Sequence, residues 1–202
     1  MEHSKSRLEY FSDAIMALCM VVLLFGMSVP NRIEKDELIS FFFSFRVFLV
    51  TFIVIGSMWN RHHRFIDFVP KISNKIIWRN LLFLFSLSII PLSAKIIIEN
   101  KDEIVPYYVY NIVFIVMNLF YYFFIRTIKK IDIGENSVEI VNYLLNFCLI
   151  YIIINITIFI ILFVISQFFV LIPKIIFLLL PLLSCRINLF LKTKKYKKRK
   201  EN

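Results

Sequence analysis

Residues able to hold protons, ions or hydrogen bonds gather where the apolar runs of this sequence begin or end. Arg7, Ser12 and Asp13 head the stretch RLEYFSDAIMALCMVVLLFGMSVP, which carries no charge after Asp13 and stops at Pro30. His62 and His63 stand together in WNRHHRF, and Asn80 lies near the start of a later apolar run. A histidine pair can ligate a metal, but metal centres of membrane enzymes draw on several histidine clusters, and this chain has only His3 besides. No second group of Cys, His and acid completes a zinc site, and no serine has a recognisable base partner. No metal or cofactor is expected, and a small membrane enzyme or transporter using His62 and His63 stays as a minor alternative. Near a membrane face an unpaired charge is costly, so Arg7, Asp13, His62 and Asn80 are expected to hydrogen-bond one another. Carboxylates at a helix start are also stabilised by its free amides and dipole, which leaves packing and function both open for Asp13.

The elements that position these residues follow from composition. The chain has 202 residues, 59% hydrophobic, with a mean hydropathy of +0.77, far outside the range of soluble globular domains. It reads as an all-α integral membrane protein. With about 20 apolar residues per spanning helix, the length holds six spans with short connections: one membrane domain, residues 1–191, and a basic tail, residues 192–202. A net charge of +10 would suggest nucleic acid in a soluble protein. Here topology accounts for the basic residues, and no nucleic-acid partner is expected. Cys19, Cys148 and Cys185 lie inside apolar runs and read as small hydrophobes. The polar start MEHSKSRLEY lacks the pattern of a cleaved signal, so the first run is expected to stay as a membrane helix.

After Pro30 a mixed-charge connection leads to a second span, from about Ile39 to Trp59, interrupted by Arg46, which either snorkels or pairs inside the bundle. The segment WNRHHRFIDFVPKISNK reads as a basic loop. A third span, Ile76 to Ile98, contains Pro91, expected to kink it. A fourth, Val105 to Ile125, carries Tyr121, Tyr122, Phe123 and Phe124, which suit an interfacial aromatic belt. The run from Val141 to Cys185 is too long for one span. Dividing it near Ser166 and Gln167 puts Pro173 in the first turn of a sixth helix. Lys and Arg then fall in excess at the amino end, in the second-to-third and fourth-to-fifth loops and in the tail, which predicts both termini in the cytoplasm. The tail, Lys192 to Lys200, suits a topology anchor or an anionic-lipid contact.

An arginine, three residues, then Phe-Ser-Asp at the start of the first helix resembles the signature of the transmembrane protein 175 family, the endosomal and lysosomal potassium channels and their shorter bacterial relatives. The matching residues are Arg7, Phe11, Ser12 and Asp13. Trp59 followed by His62, and Asn80 followed eleven residues on by Pro91, resemble further family features in the same order. The last three helices match only as apolar spans.

The resemblance implies a homotetramer in a bacterial cell membrane, with the first helices around a central axis and K+ passing without ATP or an enzymatic step. It implies no voltage sensor, and the sequence lacks the arginine-repeat helix of such sensors. Nothing like a TVGYG loop is present, since Gly26, Gly56 and Gly134 are scattered. On a helix Leu18, Val22 and Phe25 share a face, and in the family the corresponding residues form a hydrophobic constriction. Phe25 departs from the aliphatic residues usual at the third layer, which puts conductance or selectivity there in doubt. A non-conducting accessory or scaffold protein is the alternative.

Overall fold

Backbone N–H and C=O groups in hydrocarbon must be satisfied within the chain, and this sequence does so with helices. The computed structural model describes residues 2–27, 29–66, 69, 72–129 and 135–185. These form α1 (Glu2–Phe25), α2 (Lys35–Ile66), α3 (Asn74–Ser88), α4 (Ile90–Glu99), α5 (Val105–Ile128), α6 (Glu135–Ile165) and α7 (Leu171–Leu179), followed by a 3-10 segment, Leu180–Cys185. The basic tail and Gly134 lie outside the described residues.

Five segments are long and apolar enough to cross a membrane: Lys5–Phe25, Lys35–Ile66, Asn74–Glu99, Val105–Ile128 and Val141–Ile165. A sixth apolar helix, Leu171–Leu183, is shorter in its described part. The division of the last long run falls where expected: α6 ends at Ile165, and Pro173 lies in the first turn of α7. The third span is broken as well as bent. Pro91 has no N–H to donate to the carbonyl of Leu87, and α3 gives way to α4 across Ile89. Ser88 Oγ donates to the Phe85 carbonyl at 2.7 Å and Ser93 Oγ to that of Ile90 at 2.8 Å.

Two expectations need correcting. The second helix does not stop at Trp59 but runs on to Ile66, because buried and exposed positions continue at helical spacing through WNRHHRF, with polar residues on both faces. Arg61, His62, Phe65 and Ile66 face the interior while His63 is exposed. Half of the aromatic cluster of α5 does not form a belt either. Tyr121 and Phe124, three residues apart, both turn into the core, and Tyr122 and Phe123 are half-buried. Arg46, left open between snorkelling and pairing, is exposed and bends back one turn, its Nε donating to the Phe42 carbonyl at 3.2 Å.

α1 packs against α2, α3 and α4, and α5 against α3, α4, α6 and α7. Lipid is as apolar as a leucine, so helices in a membrane associate through close packing and interhelical hydrogen bonds. Buried polar residues supply such bonds here. Asn111 Nδ2 donates to the Tyr107 carbonyl at 2.8 Å and to that of Phe177 at 2.9 Å, tying α7 to α5. Thr51 Oγ1 donates to the Val47 carbonyl and lies 3.1 Å from Tyr110 Oη, which leaves Tyr110 as donor between α2 and α5. The hydroxyls of Tyr108 and Ser166 meet in the same way where α6 ends.

Candidate functional site

The residues of the first helical turns divide by face. Ser12 is fully buried, and its Oγ donates to the Leu8 carbonyl at 2.7 Å, one turn back. That leaves its lone pairs for Asn80 of α3, whose Nδ2 donates to Ser12 Oγ at 2.9 Å. With the amide so oriented, Asn80 Oδ1 is an acceptor, and His62 Nε2 of α2 lies 2.7 Å from it. The ring therefore carries its proton on Nε2. His62, Asn80, Ser12 and the Leu8 carbonyl form one directed chain of donors that joins α2, α3 and α1. Phe83 and Phe124 stack on the His62 ring, each within 5.5 Å and 16° of parallel, so the imidazole cannot turn without breaking both contacts.

Asp13 lies beside this chain but outside it. Its Oδ1 accepts from Trp59 Nε1 at 2.9 Å, a second tie between α1 and α2, and Trp59 stacks on His63. The expectation that Arg7, Asp13, His62 and Asn80 bond one another thus holds for His62 and Asn80 alone. Arg7 is exposed, as is Phe11, and Arg7 forms no ion pair among the described residues. Adjacent helical residues point about 100° apart, which is why His62 turns inward and His63 outward.

Arg61, which the sequence suggests is a loop charge, belongs to this interior too. It is 1% exposed; its Nη2 donates to Met58 Sδ, and its guanidinium carbon stands 4.6 Å from the centre of the Tyr121 ring. The signal was present: Arg61 is three residues after Met58 and four before Phe65, on the apolar face of α2.

Beyond Asp13, the apolar part of α1 has two unlike sides. Met16, Cys19 and Leu23 enter the core at 5% exposure or less, whereas Leu18, Val22 and Phe25 are 62%, 45% and 82% exposed. Leu18 and Val22 also line a groove of about 400 Å³ against α3 and α4, where Leu84, Phe85, Ser88 and Pro91 form its other wall.

The chain is similar to known proteins in sequence and in fold. A sequence model of the family described as endosomal/lysosomal potassium channel TMEM175 matches residues 7–91. It starts at Arg7 and ends at Pro91, the outermost residues of the signature. A potassium channel of Chryseobacterium sp. strain P1-3 is 31% identical over 134 residues, 66% of this chain and 69% of that one. The chain belongs to the TMEM175 potassium channel family. A second family relative, a potassium channel of Streptomyces collinus, is 27% identical over 125 residues, spanning 58% of this chain and 61% of its own. The crystal structure of a TMEM175 homolog from Chamaesiphon minutus, described as a lysosomal potassium-selective channel, superposes with a TM-score of 0.74 at 19% identity. It covers 92% of this chain and 98% of that one, so the fold extends through α5, α6 and α7, beyond the residues that the family model matches. Family membership makes this integral membrane protein a channel and not an enzyme.

The tie between Asp13 and Trp59 gives a first expected result. Asp13→Ala and Trp59→Phe should each lower stability by about 1 kcal/mol, the usual net worth of such a bond at a part-exposed site. The double variant should lose no more than the worse single one. Thermal denaturation in detergent measures this, and fully additive losses would mean that the two residues act apart.

Proposed function

We propose that this chain conducts K+ passively through a path bordered by Leu18, Val22 and Phe25 from four copies of α1. The observation that carries the reading is the exposed apolar stripe on α1. One side of that helix fills the core of its own chain, while the other, at the same depth, is left uncovered by it. A symmetric ring of four such stripes would enclose a narrow apolar passage. A hydrated ion gains nothing from such walls, so the passage can act as both gate and filter.

In this reading the polar chain of His62, Asn80 and Ser12 holds α1 at a fixed angle, and it lies at the passage's end without touching the ion. Replacing Asp13 or Arg7 would then impair assembly or opening more than selectivity. Reconstitution in liposomes with a K+ gradient is the direct test. Valinomycin-independent flux supports the channel, and its absence from a well-folded preparation would favour a scaffold.

The charge alternation supports six membrane-embedded helices with both termini in the cytoplasm. Cysteines placed at Lys101, Asp102 or Glu103 should react with an impermeant maleimide added outside intact cells. Labelling only after permeabilisation would invert the topology.

A further inference from the structure

We propose that Lys95 and Glu99 form a charge pair beside the end of the ion path and together set the rate at which cations enter from that side. The inference rests on the pore reading above. α1 stops at Phe25, and Gly26 follows four residues after Val22, continuing the turn that carries the exposed stripe. A side chain built on Gly26 would lie in ordinary contact with Lys95 Cβ at 3.7 Å and Cγ at 3.8 Å, so the Lys95 stem passes beside the end of α1. Pro91 lines the groove shared with Leu18 and Val22, and Lys95 and Glu99 follow it at four-residue steps along one face of α4. Lys95 and Glu99 thus stand one and two turns beyond Pro91, a positive charge followed by a negative one. Lys95 Nζ lies 3.5 Å from Glu99 Oε1, with both side chains more than half exposed.

Helix stability does not account for this pair. Lysine four residues before glutamate is the weaker order on a helix, and Glu99 is the last residue of α4, where the helix dipole disfavours a carboxylate. An exposed pair also contributes little to folding. A charge at a channel mouth, however, changes the local concentration of the permeant ion. Lys95 alone would repel K+, and Glu99 beside it cancels most of that field while standing one turn farther from the groove. In four copies the effect is multiplied around the axis.

The test is K+ flux into proteoliposomes, measured separately from each side, at about 10 mM and about 1 M KCl, where the screening length falls from about 30 Å to about 3 Å. Lys95→Gln should raise low-salt entry from the side bearing Lys101–Glu103 by roughly twofold or more, and Glu99→Gln should lower it by a similar factor. The double variant should return near the parent, and all differences should shrink at high salt. Equal changes at both salts, or none, would overturn the proposal. Leu18→Asn in the same preparation separates the two readings. If it alters flux and the charge variants do not, only the charge pair is wrong; if no variant alters flux, the pore assignment fails as well.

Discussion

Asn80→Leu should destabilise the protein more than any other single change in the polar cluster, and adding His62→Phe should recover part of that loss. Asn80 is fully buried and uses both ends of its amide, accepting from His62 and donating to Ser12. Leucine is close in volume, so the loss is mainly polar. Interhelical hydrogen bonds in membranes average only about 0.6 kcal/mol, because the separated helices also find partners, and two such bonds would give about 1 kcal/mol. The larger part comes from what is left behind. His62 Nε2–H, enclosed between Phe83 and Phe124, would have no acceptor, and an orphaned buried donor costs about 1–3 kcal/mol. Together these give roughly 2–4 kcal/mol. A phenyl ring at position 62 fits the same stack and carries no donor, while Ser12 still donates to Leu8. Removing both partners of a buried bond is far less costly than removing one, so the double variant should be the more stable. Unfolding by SDS titration measures the cycle. Additive losses, or an Asn80→Leu variant as stable as the parent, would show that the directed chain from His62 to Leu8 does not hold the first three spans together.

The residues of that chain were legible in the sequence because polar types are conspicuous in runs so apolar, and because their spacing matched a family signature. Their wiring was not. Which of Asp13 and Ser12 turns inward depends on the rotation of α1, and hydropathy cannot supply that rotation when lipid-facing and core-facing positions are equally apolar. The same limit holds for the apolar part of α1, where the resemblance and not hydropathy singled out the face of Leu18, Val22 and Phe25, with Met16 and Leu23 on the side that enters the core. A cluster of arginines and histidines after Trp59 resembles a loop in sequence, although a helix can bury such residues when an aromatic face receives them, as Tyr121 receives Arg61. The long run after Val141 divided correctly since length alone forbids a single span. The break at Ile89 was half legible: proline announces a bend, but whether the helix recovers depends on hydroxyls such as Ser88 and Ser93 bonding the carbonyls around it.

Leu18→Asn should raise cation flux and lower the preference for K+ over Na+, with little effect on folding. Leu18 is 62% exposed on its own chain, so an amide there disturbs no core. In the proposed ring, four leucines present only hydrocarbon to an ion that must keep its water or lose it without compensation. Four amides would hydrate the passage, and each 1.4 kcal/mol taken from the barrier raises the rate about tenfold. Leu18→Ala should act in the same direction by widening the ring, though less, because it adds no polar group. Leu23 is the contrast: it is 3% exposed, so Leu23→Ala should cost about 2–5 kcal/mol of stability as a buried cavity does, and any protein that still folds should keep the parent's selectivity. Met16→Ala should behave likewise. Phe25, at the open end of the stripe, supplies a graded version of the test. Phe25→Leu, which restores an aliphatic third layer, should change conductance without the loss of selectivity expected at Leu18. Paired measurements of K+ and Na+ flux on size-verified proteoliposome preparations decide between these outcomes. If Leu18→Asn leaves both fluxes unchanged while Leu23→Ala alters selectivity, the path lies on the opposite side of α1, and the exposed stripe is a surface for lipid or for packing between copies.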